Sequence, residues 1–263
     1  MLFLFPIMGF LILDLYFNLL PNLIPPGTAS WLLYAAFFFV LARHVARLTG
    51  LEGLEDLGLR AHYGWKRNLK IGFAFGAAVW GSMYVLLGVL GDFRVTGFKQ
   101  PQEAAVFVAE MLVVLFLGSL INDLIVRGYL FAQLRDKLPG AALIMLSSFI
   151  YALDDVWLAG FDIRSAYVSV LLGLSLGYTL YRTGSIWMNT GLHGGLNMIT
   201  ALVYGIPGRE EAGGLLLIEK GSAATALLPG HVQAIAALVL FVLVFAMYGS
   251  LRINTVQEGA GFR

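Results

Sequence analysis

A few polar positions inside otherwise apolar stretches have spacing that could support chemistry. In GSIWMNTGLHGGLNMIT, His193 and Asn197 are four residues apart. On a helix the imidazole and the carboxamide then share one face and can converge on a metal ion or a developing oxyanion. In INDLIVRGYLFAQLRDKL, Asp123 and Arg127 repeat that spacing with the acid first, a pairing that compensates both charges in a medium of low dielectric. Asn122 lies one position round, about 100° away, so it faces a different neighbour or a cavity. In SSFIYALDDVW, Asp154 and Asp155 are adjacent and diverge by a similar angle, so at most one is aimed at the His193 face. A carboxylate within such a run is expected to be paired, protonated or metal-bound.

Other polar residues carry weaker signals. Asn189 lies one turn before His193, Asp14 reads as a lone interhelical acceptor in the first apolar run, and His44, His62 and His231 fall near the ends of apolar runs. Cysteine is absent, which excludes disulfide scaffolds, thiolate metal sites and cysteine nucleophiles. A metal here would rely on His, carboxylate or amide ligands.

The elements that must hold these groups are membrane spans. Of 263 residues, 59% are hydrophobic and 13% charged, about half the charged share of a soluble domain. Mean hydropathy is +0.81. Apolar runs cover about 2–20, 29–45, 71–90, 104–131, 141–158, 165–181, 185–204 and 232–248. The pattern predicts an all-α, polytopic transmembrane bundle of about eight spans, a single membrane domain over 1–263, without repeats or linkers. The first run lacks a basic flank and a small-residue cleavage site and reads as a retained helix.

Two connections stand out. The stretch from Arg47 to Lys70 mixes charges with leucines and suits an amphipathic segment on the membrane surface. The stretch from Gly205 to His231 reads as a loop with a small re-entrant or surface helix, because Leu215–Ile218 is too short to span. With both termini inside, most Lys and Arg fall on the inner side, leaving Arg94, Lys99, Arg164, Arg209 and Lys220 outside. That bias predicts cytoplasmic termini in a cell inner or plasma membrane. Near-neutral charge, confined to short connections, offers no basic face for nucleic acid. Membrane lipid is the expected partner, together with a membrane-associated peptide or protein. If the inner boundary falls near Phe131, Leu143 and Ser185, a rise of 1.5 Å per residue puts Asn122, Asp155, His193 and Asn197 roughly 12 to 18 Å deep. They are compatible with one layer.

In this order, the segments resemble the CPBP family of intramembrane proteases, which includes the CAAX prenyl proteases and bacteriocin-processing or immunity proteins. The family's Glu-Glu-x-x-x-Arg motif falls on Asn122, Asp123 and Arg127, followed by Gly128. Its Phe-x-x-x-His falls on Tyr151 and Asp155, and its His-x-x-x-Asn falls intact on His193 and Asn197 after Thr183, Gly184, Ser185 and Ile186. Leu57, Gly58, Leu59 and Arg60 match a segment common upstream, so the family-like core runs from about 57 to 200. The resemblance implies an intramembrane peptidase in which the first Glu activates water while the final His and Asn bind a metal or stabilise the oxyanion.

This chain departs from that pattern at the reactive groups themselves. Asn122 cannot take a proton as a carboxylate does, and Asp155 stands where the first His is expected. Two readings follow. In the first, the bundle and cavity persist without catalysis and bind a membrane peptide, lipid or partner protein; the missing base favours this reading. The alternative is an active endopeptidase hydrolysing a peptide bond in a membrane-associated substrate. Its water would be activated by Asp155 itself or by a zinc ion held by Asp155, His193 and Asn197. On this reading the catalytic set is Asn122, Asp123, Arg127, Asp155, His193 and Asn197.

Overall fold

The structure is a computed structural model, and it describes residues 4–23, 27–154, 162–206, 213–221 and 228–249. Each of the expected apolar runs is helical over its described residues. The helices are α1 (Leu4–Leu19), α2 (Thr28–Leu48), α3 (Trp65–Val89), α4 (Pro101–Asp123), α5 (Leu130–Leu134), α6 (Gly140–Asp154), α7 (Ile163–Thr183), α8 (Ile186–Tyr204) and α9 (Leu228–Gly249). A π-helical turn, Leu124–Tyr129, joins α4 to α5, so the two form one rod of 34 residues.

Five of these helices are long and apolar enough to cross a membrane: α2, α3, the α4–α5 rod, α7 and α9. The apolar helices α1 and α6 are shorter. Large apolar side chains such as Phe5, Phe37, Val85, Val106, Phe149 and Val242 lie exposed on the outside of the bundle. In a polytopic membrane protein this is the lipid-facing surface.

α8 is the most enclosed helix, with Ile186, Met188 to Leu196 and Met198 all buried, and it packs on α3, α4 and α7. Its seam with α3 is made of backbone. A Cβ at Gly72 or Gly76 would strike the carbonyls of Met188 or Leu192, and one at Gly191 or Gly195 would strike those of Leu69 or Phe73. Small residues four apart on both helices let the two axes approach closely, which is how helices associate where lipid removes the hydrophobic driving force. Gly184, at φ 59°, ends α7 in the left-handed region that a residue with a Cβ avoids, and Ser185 then starts α8.

At the other end of α7, Asp162 caps the helix. Its Oδ2 accepts from the Ser165 backbone N–H at 3.1 Å and from the Ser165 hydroxyl at 3.2 Å. These hydrogen bonds hold its carboxyl below the usual range.

The stretch from Arg47 to Lys70, expected as an amphipathic surface segment, is built largely of turns: α2 ends at Leu48 and α3 begins at Trp65. It is pinned across the start of α8. Leu57 is buried, and its carbonyl faces Gly128. Trp187 Nε1 donates to the Arg60 carbonyl at 2.9 Å, and His62 Nε2 lies 3.0 Å from Ser185 Oγ. Fixing these polar anchors costs the segment its helical periodicity.

One expectation needs correction, in the connection between α8 and α9; the bundle itself is all-α. Where a short re-entrant or surface helix was expected around Leu215–Ile218, Leu216–Lys220 forms β2, paired antiparallel with β1 (Phe93–Phe98). The register sets Arg94 opposite Glu219 and Val95 opposite Ile218, with an irregularity before Gly97. Pairing satisfies backbone groups that a four-residue helix would leave open at both ends.

Candidate active site

α4, the π turn, α6 and α8 bring the polar residues of the three runs together. Asp123 and Arg127 are wholly buried and joined by a hydrogen bond of 2.8 Å from the guanidinium to Asp123 Oδ1. The pairing read from the sequence holds, and the π turn accommodates it because its wider winding keeps residues four apart on one side. The guanidinium also lies over the Tyr151 ring, 4.5 Å from its centre, a cation–π contact that gains value away from water.

His193 completes this cluster from α8. Its Nδ1 lies 3.2 Å from the same Asp123 oxygen, and its Nε2 lies 3.2 Å from the Tyr151 hydroxyl. A carboxylate oxygen only accepts, so Nδ1 carries the hydrogen; in the neutral ring Nε2 is then the acceptor and Tyr151 donates to it. The rings of Tyr151 and His193 meet edge to face at 5.6 Å. One turn further along α8, Asn197 Nδ2 donates to Ser119 Oγ at 3.0 Å. α4 and α8 therefore run antiparallel with Ser119 against Asn197 and Asp123 against His193.

Asn122 faces a second group, as the 100° offset requires. Its Nδ2 donates to Asp154 Oδ2 in a short hydrogen bond, and Asn18 Nδ2 from α1 donates to Asp154 Oδ1 at 2.6 Å. Asn18 also reaches Asp14 Oδ1 at 3.3 Å. The carboxylate beside Asn122 is thus Asp154; Asp155, which the motif register singles out, lies outside the described residues. Asp14 is no lone acceptor, since it shares Asn18 with Asp154.

Asn18, Ser119 and Tyr151 join the site without having been singled out by the sequence as site residues. Asn18 follows Asp14 by four on an apolar helix, a spacing that was available as a signal. Asn189 is fully buried, and neither atom of its amide has a hydrogen-bond partner.

Zinc was one expectation for this site. Among the described residues no three His, Asp or Glu side chains gather as a metal cage. Both ring nitrogens of His193 are engaged, and Asp123 Oδ1 is shared with Arg127. The expected ligand set also includes Asp155, which lies outside the described residues, and the chemistry below is built on the described groups of the protein itself.

Residues 104–199 match the model of the type II CAAX prenyl endopeptidase Rce1-like family. Over this stretch the chain is similar to that family. The match takes in Ser119, Asn122, Asp123, Arg127, Tyr151, Asp154, His193 and Asn197, so the Rce1-like region and the buried polar cluster coincide. Asp14 and Asn18 come from outside it. A search of curated proteins gives no match to the chain.

Proposed function

We propose that the protein is an intramembrane endopeptidase hydrolysing a peptide bond in a membrane-associated substrate. The observation that carries this reading is His193, held inside the bundle between Asp123 and Tyr151 within the stretch that matches the Rce1-like model. Asp123 fixes the imidazole in one tautomer and stabilises any positive charge the ring gains, while Arg127 holds that carboxylate in place.

Asn197 donates one amide hydrogen to Ser119 and keeps a second. It is a donor of the kind that stabilises the oxyanion when water adds to a peptide carbonyl. His193 then relays a proton toward the leaving amine. A carboxylate to activate the water belongs at the end of α6, where Asp154 and Asp155 follow one another. Both termini face the cytoplasm in this proposal, in a plasma or inner membrane.

Peptide cleavage by the purified, membrane-reconstituted protein tests the reading. His193→Ala is expected to lower the rate by about 10²- to 10⁴-fold. A rate that survives this substitution, or a native protein that cuts nothing across a broad panel of membrane peptides, overturns it. In that case the second reading stands: a site that binds a membrane peptide or lipid without cutting it. Asn122, an amide at the position of the family's usual carboxylate, favours that reading.

A further inference from the structure

The water-activating carboxylate is absent from its usual position, yet a carboxylate lies in hydrogen-bond contact with that position. Asp154 arrives from α6 rather than α4, is buried, and accepts from the Asn122 amide on one oxygen and from Asn18 on the other. Only the nitrogen end of Asn122 can serve a carboxylate, so its Oδ1 must point elsewhere. That oxygen is buried and has no hydrogen-bond partner. A residue 8% exposed with an open acceptor beside a carboxylate is arranged to receive a molecule that donates two hydrogens from one atom. Water does so.

We infer that Asp154 is the general base of this site, that Asn122 and Asn18 are its positioning residues, and that the attacking water is held between Asp154 and Asn122 Oδ1. This rests on the endopeptidase reading and adds to it. The arrangement moves the carboxylate across a helix–helix contact without moving it out of the site. Asp154 takes one proton from the water as its oxygen bonds to the peptide carbonyl carbon. The tetrahedral intermediate collapses with cleavage of the C–N bond, and the proton taken up by Asp154 reaches the departing amine nitrogen by way of His193. The carboxylate is regenerated.

Asn18 ties this base to a helix outside the Rce1-like segment. Asp14 accepts from the same Asn18 nitrogen, which makes α1 part of the site.

The test exchanges the two groups and measures kcat and KM separately in the reconstituted full chain, with thermal unfolding as the control for folding. Asp154→Asn should lower kcat by about 10²- to 10⁴-fold with KM unchanged. Adding Asn122→Asp in the Asp154→Asn background returns an amide–carboxylate pair to the same contact, so this variant should fold and recover at least part of the lost kcat. Asn18→Ala should reduce kcat less than Asp154→Asn does. An Asp154→Asn protein with native kcat, or a folded exchange variant no faster than Asp154→Asn alone, overturns the proposal while leaving the endopeptidase reading intact if His193→Ala is still inactive. A native protein without activity overturns both.

Discussion

Asp123 Oδ1 accepts from two sides at once, from the Arg127 guanidinium at 2.8 Å and from His193 Nδ1 at 3.2 Å. One oxygen therefore links the internal ion pair of the α4–α5 rod to the reactive face of α8. Removing either partner changes the electrostatics felt by the other.

The first prediction concerns that oxygen. Asp123→Asn leaves the Arg127 charge buried without its counter-ion and should destabilise the protein by about 3–5 kcal/mol. Arg127→Met leaves the carboxylate facing His193 alone and should also destabilise the fold. Denaturant titration of the purified protein in detergent reads both. A loss under about 1 kcal/mol, the level of an exposed pair, would mean the pair is solvated.

The backbone seam of α3 and α8 gives a paired prediction. Gly195→Val drives a branched side chain into the Phe73 carbonyl and should cost about 1–3 kcal/mol or more, with loss of folded yield. Gly81→Ala, on the same α3 but with open space at its Cβ, should be neutral or stabilising by about 0.5–1 kcal/mol. Thermal unfolding of the two variants side by side is the measurement.

The cap of α7 predicts a pH dependence. The Asp162 carboxyl is held below its ordinary value by the Ser165 bonds, so it stabilises the fold above the unfolded-state value near 4 and loses that contribution as pH falls through the folded-state value. Asp162→Ala should lower Tm at neutral pH, and the gap to native should close on acidification. A gap that is the same at neutral pH and well below pH 4 would reject the cap as its origin.

Metal removal supplies a fourth. With Asp154 as base, exhaustive chelation should leave the cleavage rate unchanged. Loss of activity on chelation, restored by zinc, would return the chemistry to a metal held with the help of Asp155.

Much of this was legible in the sequence because helix geometry is local. The i, i+4 spacing was enough to pair Asp123 with Arg127 and to put His193 and Asn197 on one face, and the 100° step was enough to separate Asn122 from the ion pair. What the sequence withheld is non-local. Asn18 and Asp154 lie 136 residues apart, and no periodicity reveals that α1 leans on α6. Adjacent aspartates cannot be ranked without knowing how α6 is rotated, so the motif register pointed to Asp155 while the contact with Asn122 is made by Asp154. β2 is the other case: five residues with two charges carry no distinctive pattern, and the partner strand Phe93–Phe98 lies on the far side of four helices in the chain.

The glycine contact between α3 and α8 also bears on how a substrate gets in. Helices joined carbonyl to Cα have no layer of side chains that can repack, so the bearer of His193 and Asn197 is fixed against rolling or sliding. Admission of a bulky chain must then be accommodated at contacts of the bundle other than this one.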